Sequence, residues 1–247
     1  MRFIAMEHGM DHTPFILNLR EESAPHFARL ELSRQQPATS GPMDVVITHQ
    51  SASERAAAEQ FIRRIYAEAY GASLDIRYPT LMSIAGENGI AAAMGLRDAG
   101  SERLFLEHYL DKPVEEAMFD ATGVHVARHE IIEVGNLGSS GLGAAKYLYL
   151  AFHAYACARG YKYVAVTATK ALGRSFMHMG IGTHLLAHAR PERVPGQGAG
   201  WGSYYESQPQ VMAGSIAQGL EVLMERYGGT YTPLTVALHT LGCPGHA

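Results

Sequence analysis

Cysteine is scarce in this chain: of 247 residues only Cys157, inside a helical pattern, and Cys243, near the C-terminus, are cysteine. Two such residues build neither a disulfide framework nor a thiolate metal site, and a reducing, cytoplasmic setting is the expectation. Long apolar runs are missing too. No window approaches a membrane span, and the first residues, MRFIAMEHGMDHTPF, put acids and histidines where a secretory leader needs a continuous apolar stretch. Charge of one sign is also lacking. With 20 Lys and Arg against 24 Asp and Glu, the net charge of -4 gives no global pull toward nucleic acid or an anionic membrane. No nucleic-acid partner and no membrane contact are expected, and any anion site must be local. Thirteen histidines are present, but no HExxH. His8/His12 and His184/His188 are four apart, and the second pair lies in a predicted strand, where that spacing is too wide for one ion. No metal is expected.

At 47% hydrophobic and 18% charged residues the chain has the composition of a folded globular protein, long enough to close one α/β domain. Residues 1–42 form an N-terminal extension of unclear structure ending in SRQQPATSGP, residues 43–230 the main domain, and 231–247 a C-terminal tail. MDVVITH (43–49) reads as a buried strand. SERAAAEQFIRRIYAEAYG is a helix with Ser53 as N-cap, Gly71 as stop, and Ala58, Phe61, Ile62, Ile65 and Tyr66 on one stripe. Two apolar runs flank Glu87-Asn88-Gly89, a hairpin signal. ERLFLEHYLDKPVEEAMFDATG begins apolar and continues as a helix from Asp111, with Pro113 in its first turn. HEIIEVGNL is a strand, LGAAKYLYLAFHAYACARG a helix ended by Gly160, YKYVAVTAT a strand, KALGRSFMHMG a short helix stopped at Gly180, and IGTHLLAHA a strand. QVMAGSIAQGLEVLMERYGG reads most simply as one helix, with PQVMAG as a short strand the alternative. The order predicts a mixed α/β layer fold with one early antiparallel hairpin.

EVGNLGSSGLGAAKYL (133–148) then stands out: a strand enters a loop of glycine and serine, and a helix follows. As a dinucleotide fingerprint it fails at Lys146, as a Walker A loop at Ala144, and as a nucleophile elbow at Leu142. What remains is a helix start whose free N–H groups, with a dipole of about +0.5 charge, form an anion site. Spacing alone supports that reading and an ordinary strand-to-helix turn equally.

GLRDAGSERLFLEHYLDKPVEEAM, EIIEVGNL, YVAVTAT and WGSYYESQPQVMAG together resemble the thermostable hemolysin family, GNAT-like proteins related to acyl-homoserine lactone synthases, from roughly Tyr66 to Gly214. The resemblance implies a GNAT-like mixed central sheet flanked by helices and an acyltransferase. It would move an acyl group, fatty acyl by preference, from a phosphopantetheine thioester to a small-molecule amine or amino-acid acceptor. The thioester is a co-substrate on acyl carrier protein or coenzyme A, and no cofactor is tightly bound. The setting implied is specialised-metabolite or signal biosynthesis.

The family's pyrophosphate loop reads [Gln/Arg]-x-x-Gly-x-[Gly/Ala]. Gly141 and Gly143 fall on its small positions, with Gly138 where Gln or Arg is usual. Leu137, Gly138, Ser139, Ser140, Gly141, Leu142 and Gly143 are therefore the expected thioester and phosphopantetheine cradle, with N–H groups around Leu137 and Gly138 on the carbonyl oxygen. Glu133 falls on the glutamate of the synthases' Glu-x-Ser-Arg strand and is the expected base, while Gly135 and Asn136 replace Ser-Arg. Gly135 suggests a bulge that turns Asn136 into the site. Glu133 could instead salt-bridge Arg97 or Arg128.

The Tyr that protonates the leaving thiol in many GNAT enzymes is here Phe176, and His178, Tyr204 or Tyr205 are stand-ins. Arg97, Glu107 and Tyr109 are placed on the acceptor side, the last two sharing a face if LFLEHYLD is extended. Trp201 and SYY form a wall or lid that the surrounding glycines would let move. Lys170, Arg174, Arg190 and Arg193 could meet an acidic carrier or nucleotide phosphates. Two further readings stay open: a membrane-active hemolysin-type protein, and a non-catalytic acyl-carrier-binding partner.

Overall fold

The computed structural model describes residues 18–19, 27–33, 43–50, 52, 55–86, 88–227 and 232–237. Ser53, Glu87, His8, His12 and Cys243 lie outside the described residues.

The described strands are β1 (Asn18–Leu19), β2 (Phe27–Ser33), β3 (Met43–His49), β4 (Thr80–Gly86), β5 (Gly89–Asp98), β6 (Ile131–Ser139), β7 (Tyr163–Ala168), β8 (His184–His188), β9 (Gln210–Ser215) and β10 (Thr232–Ala237). They form one mixed sheet in the order β1-β10-β2-β3-β4-β5-β6-β7-β9-β8. The helices are α1 (Arg55–Tyr70), α2 (Val114–Thr122), α3 (Leu142–Ala158), α4 (Lys170–His178) and α5 (Ile216–Tyr227). Among the described residues no helix is long and apolar enough to cross a membrane.

Strand alternation sorts side chains to two faces. Met94 and Leu96 of β5, Ile132 and Val134 of β6, and Val164 and Val166 of β7 pack with Leu148, Phe152, Ile216 and Leu223 of α3 and α5. The residues between them face the other way. There Ala93 packs with Phe61, Ile62 and Tyr66 of α1, and Ala165 with Leu106, Val114 and Met118. Ile62, Met94 and Leu148 are wholly inaccessible, each burial contributing about 1.5–3 kcal/mol. The same alternation puts Gly95, Arg97, Glu133 and Gly135 on the α1 face.

Local signals foretold most elements. The hairpin joins β4 and β5, with Gly86 opposite Gly89 and Gly89 at φ 90. Gly71, Gly160 and Gly180 follow α1, α3 and α4 with positive φ. Thr169 caps α4, its Oγ1 accepting from the Leu172 N–H.

Two expectations are corrected. LFLEHYLD, on whose being extended a shared face for Glu107 and Tyr109 depends, holds a 3-10 turn, Phe105–His108, and the helix after it begins at Val114 rather than Asp111. Pro113 takes the N-cap place, and its ring keeps Lys112 out of helical geometry. Of the two readings of 210–229, the single helix is corrected and the short PQVMAG strand holds, as β9 followed by α5. β9 pairs with β7 on one edge and β8 on the other, and Val211 and Ala213 turn into the core beside α2. Two ladders of backbone hydrogen bonds outweigh a helical side-chain pattern.

Candidate active site

β6 and β7 run parallel and pair from Ile131↔Tyr163 to Val134↔Val166. Beyond Val134 only the β5 edge of β6 keeps a partner, so the sheet splits between β6 and β7. Along β5, Gly95 opposes Gly135 and Ala93 opposes Gly138, so two steps on one strand meet three on the other. The extra residue is Asn136, at φ 47, a left-handed conformation that asparagine tolerates. Leu137 resumes the α3 face and Gly138 the α1 face, where a Cβ would sit 3.3 Å from Ile65. The bulge turns Asn136 toward the split, and both it and Gly135 line a cavity of about 440 Å³.

Gly135 has a reason of its own. A Cβ there would lie 1.9 Å from the Tyr78 hydroxyl oxygen, and one on Gly95 2.3 Å from Tyr78 Cγ. Two glycines paired across β5 and β6 thus open a slot into which Tyr78 lies flat. The slot turns the Tyr78 hydroxyl toward Glu133, whose charge adds to burial in raising the phenol's pKa. Arg97 lies over the same ring, its guanidinium carbon 4.9 Å from the Tyr78 ring centre.

Glu133 is 1% exposed, with the Leu106 N–H on Oε1 and the Phe105 N–H on Oε2, both at 2.9 Å. The first N–H groups of a 3-10 turn have no partner within it, and this carboxylate caps them. Arg97 Nη1 is 4.0 Å away, and Arg128 pairs elsewhere. Burial pushes the Glu133 carboxyl up to about 7, against the opposing pull of the two amides, Arg97 and Tyr78.

Of the residues read as acceptor-side, Arg97, Tyr109 and Trp201 line the cavity, as does Tyr204. Glu107 is not among the lining residues. It accepts from the Leu104 and Val114 N–H groups and from both terminal nitrogens of Arg128, at 2.6 and 2.8 Å. Burial pushes its carboxyl upward, but Arg128 and the two amides outweigh that and hold it below the ordinary value. The Tyr109 hydroxyl is 2.8 Å from that of Tyr205. Burial, then the neighbouring tyrosines, pushes Tyr204 well above the usual phenol range, so it stays protonated.

Trp201 stacks on Phe105 at 5.9 Å and meets Tyr204 at 5.1 Å. Its loop is tied to the end of α1: the Ser73 N–H donates to Gly200 O at 2.6 Å and the Ser203 N–H to Tyr70 O at 2.9 Å. Gly202, at φ 54, lies where a Cβ would be 1.9 Å from Tyr70 O, so close approach accounts for this glycine.

In the loop before α3, Ser139 Oγ donates to Gly141 O and accepts from Gly141 N–H, and Ser140 donates through N–H and Oγ to Ala91 O. Gly141 is the N-cap and offers no side-chain cap, and a Cβ on it would meet nothing within 4 Å. Among the described residues the N–H groups that open α3 are thus left without a side-chain cap, beside a backbone that no described atom crowds. Phe176 is buried against Tyr149, and His178 is exposed. Of the four basic residues named with them, Arg193 pairs with Asp111 and Lys170 bonds Gln208, while Arg174 and Arg190 are exposed.

Sequence reasoning missed Tyr78, Arg103 and His108, all of which line the cavity. The available signal was the pair Gly95 and Gly135 on adjacent strands, which leaves a groove that only an aromatic ring fills.

Solved structures share this GNAT-like fold. The AHL synthase LasI is 12% identical, with 78% of this chain and 98% of that one covered and a TM-score of 0.52. TofI in an apo form is 14% identical, with 72% and 95% covered and a TM-score of 0.51. TofI in a ternary complex with an inhibitor and MTA has the same identity and coverage, with a TM-score of 0.50. No curated protein matches the sequence. The thermostable hemolysin family model matches residues 48–220, a span that holds β6, its bulge, the loop into α3 and Trp201, and the chain belongs to that family.

Proposed function

We propose that the protein is an N-acyltransferase that moves an acyl group, fatty acyl by preference, from a phosphopantetheine thioester to an amine. The observation that carries this reading is the split between β6 and β7. It leaves a bulged strand edge whose Gly135 and Asn136 line a cavity of about 440 Å³ and which continues past Ser139 to the uncapped start of α3. LasI is an AHL synthase, and acyl transfer is extended from it to this chain. The donor rides on acyl carrier protein or coenzyme A, and the setting is cytoplasmic biosynthesis of a specialised metabolite or signal.

In this mechanism the donor's pyrophosphate lies on the Ser139–Gly143 loop and the first N–H groups of α3, held by their partial positive charge. The thioester carbonyl sits at the β7-facing edge of Leu137 and Gly138, with Asn136 beside it, where backbone N–H groups stabilise the oxyanion. The acyl chain runs to the α3 face, where Met94, Val134, Leu137 and Phe176 line a small apolar cavity of about 40 Å³.

The acceptor amine attacks the carbonyl carbon from the larger cavity, between Arg97, Tyr109 and Trp201. The C–N bond forms, the C–S bond breaks, and the amine proton passes to the Tyr78 oxygen as Tyr78 gives its own to Glu133. Glu133 is thus a base at one remove, and a carboxyl raised to about 7 suits that task. A thiol with a pKa near about 8.5 leaves as thiolate without full protonation, and Tyr204 donates a hydrogen bond to it. Glu107 serves by fixing the turn that holds Glu133.

The test is thiol release from a panel of acyl-coenzyme A and acyl-carrier thioesters mixed with amines and amino acids. Release that depends on the acceptor supports the reading. Folded protein that releases no thiol with any combination, or that empties liposomes without a thioester, overturns it.

A further inference from the structure

We propose that the acceptor carries a carboxylate beside its amine, bound by Arg97 and Arg103, and that its side chain is apolar: an α-amino acid rather than a simple amine. The inference rests on the acyl-transfer reading above and names its acceptor.

Arg97 is 9% exposed, yet among the described residues its guanidinium makes one hydrogen bond, from Nη2 to Arg77 O at 2.7 Å. Nε is buried without a hydrogen-bond partner. Among the described residues two carboxylates lie at ion-pair distance without hydrogen-bonding it, Glu102 at 3.4 Å from Nε and Glu133 at 4.0 Å from Nη1. A guanidinium has five donors, and leaving them unused in a buried place is costly. Arg128 shows what satisfaction looks like in this fold, with three carboxylate contacts at 2.6–2.8 Å.

Arg103 also lines the cavity and has no hydrogen bond or ion pair among the described residues. The acid at the rim, Asp75, is paired with Arg77 at 2.6 Å, so among the described residues Arg103 is left without a carboxylate partner. His108 registers it: burial, then Arg103 and Arg97, lower its pKa. A planar carboxylate is the anion that matches the guanidinium fork. The Ser139–Gly143 loop is not part of the lining, so the donor's phosphates belong elsewhere. The rest of the wall is aromatic, with Trp201 stacked on Phe105, a surface for an apolar side chain.

Trp201 is the chain's single tryptophan, so its fluorescence reports occupancy without any turnover. The full chain is titrated with L-leucine and L-phenylalanine, with isoamylamine and phenethylamine, which lack only the carboxylate, and with inorganic phosphate. The amino acids should bind at least about tenfold more tightly than their amines, the worth of one charge-assisted hydrogen bond. The exposed Arg103→Gln and the charge-conserving Arg97→Lys should each shrink that preference. Equal binding of amines, no response to either amino acid, an equal response to phosphate, or an undiminished preference in both variants overturns the proposal. Acylation of amines alone would overturn it while acyl transfer stands. Carboxylate-dependent binding without thiol release from any thioester would support it and overturn acyl transfer instead.

Discussion

Replacing Gly135 with alanine tests the slot that organises the site. The new Cβ would stand 1.9 Å from the Tyr78 hydroxyl oxygen and 2.4 Å from Cζ, separations no small adjustment absorbs. The ring cannot slide along β5, because the backbone at Gly95 already lies against Cγ and Cβ. It must leave. Overpacking costs about 1–3 kcal/mol, a sizeable part of a domain's net stability of about 5–15 kcal/mol. At about 2–4 °C per kcal/mol the melting temperature should fall by about 2–12 °C. Urea unfolding of the wild type, Gly135→Ala, Tyr78→Ala and the double variant apportions the effect. Tyr78→Ala alone leaves a void and costs about 3–5 kcal/mol. In that background the alanine at 135 meets no ring and should cost close to nothing, or stabilise. An alanine that costs as much without the ring as with it would refute the reasoning.

Glu133→Gln should change both rate and stability with pH. The folded carboxyl, near 7, lies above its ordinary 4.5, so the fold retains a proton that the unfolded chain has released. The stability this contributes is complete below the ordinary value and is lost as pH rises toward about 7. Urea midpoints of the wild type relative to the variant should therefore decline across that interval. Wild-type turnover should rise through about pH 7, and the variant should be slow without that rise. Glu107→Ala should destabilise by about 3–5 kcal/mol by stripping two amides of their acceptor and leaving Arg128, among the described residues, with Glu115 as its one carboxylate partner. Because the Glu107 carboxyl is depressed, its contribution is present above the ordinary carboxylate range and is lost as pH falls through the folded value; thermal melts at stepped acid pH check this. Thr169→Ala removes the α4 cap and should cost about 1 kcal/mol in urea titration, while Thr169→Ser should cost less.

What the sequence made legible was local. The hairpin at Gly89, the glycine stops after α1, α3 and α4, and the bulge beside Gly135 all follow from backbone preferences within a few residues. The strand ending at Ser139 and the uncapped start of α3 were readable in the same way. What could not be read depends on contacts far apart in the chain. Gly135 looks like a bulge residue until Tyr78, on a different segment, fills the space above it. β9 is open in sequence to a helix or a strand reading, and the strand prevails because two neighbouring strands pair with it. LFLEHYLD suggests alternation, but the Glu133 carboxylate, from β6, rewards a turn that offers two amides at once.

That turn explains why two buried glutamates so close together behave in opposite ways. The N–H groups of Leu104, Phe105 and Leu106 all end on carboxylates, the first on Glu107 and the other two on Glu133. Glu107 has Arg128 as a full ion-pair partner and is held ionised. Among the described residues Glu133 has no cation closer than Arg97 at 4.0 Å, and burial dominates. The Glu107–Arg128 pair therefore fixes the turn, and the fixed turn lets Glu133 keep its place without a full counter-charge. A carboxyl so held, one hydroxyl away from the cavity, can take up and release a proton without the site losing its shape. Were Glu133 to hold Arg128 instead, the same carboxylate would be locked in the ionised state and of little use as a base.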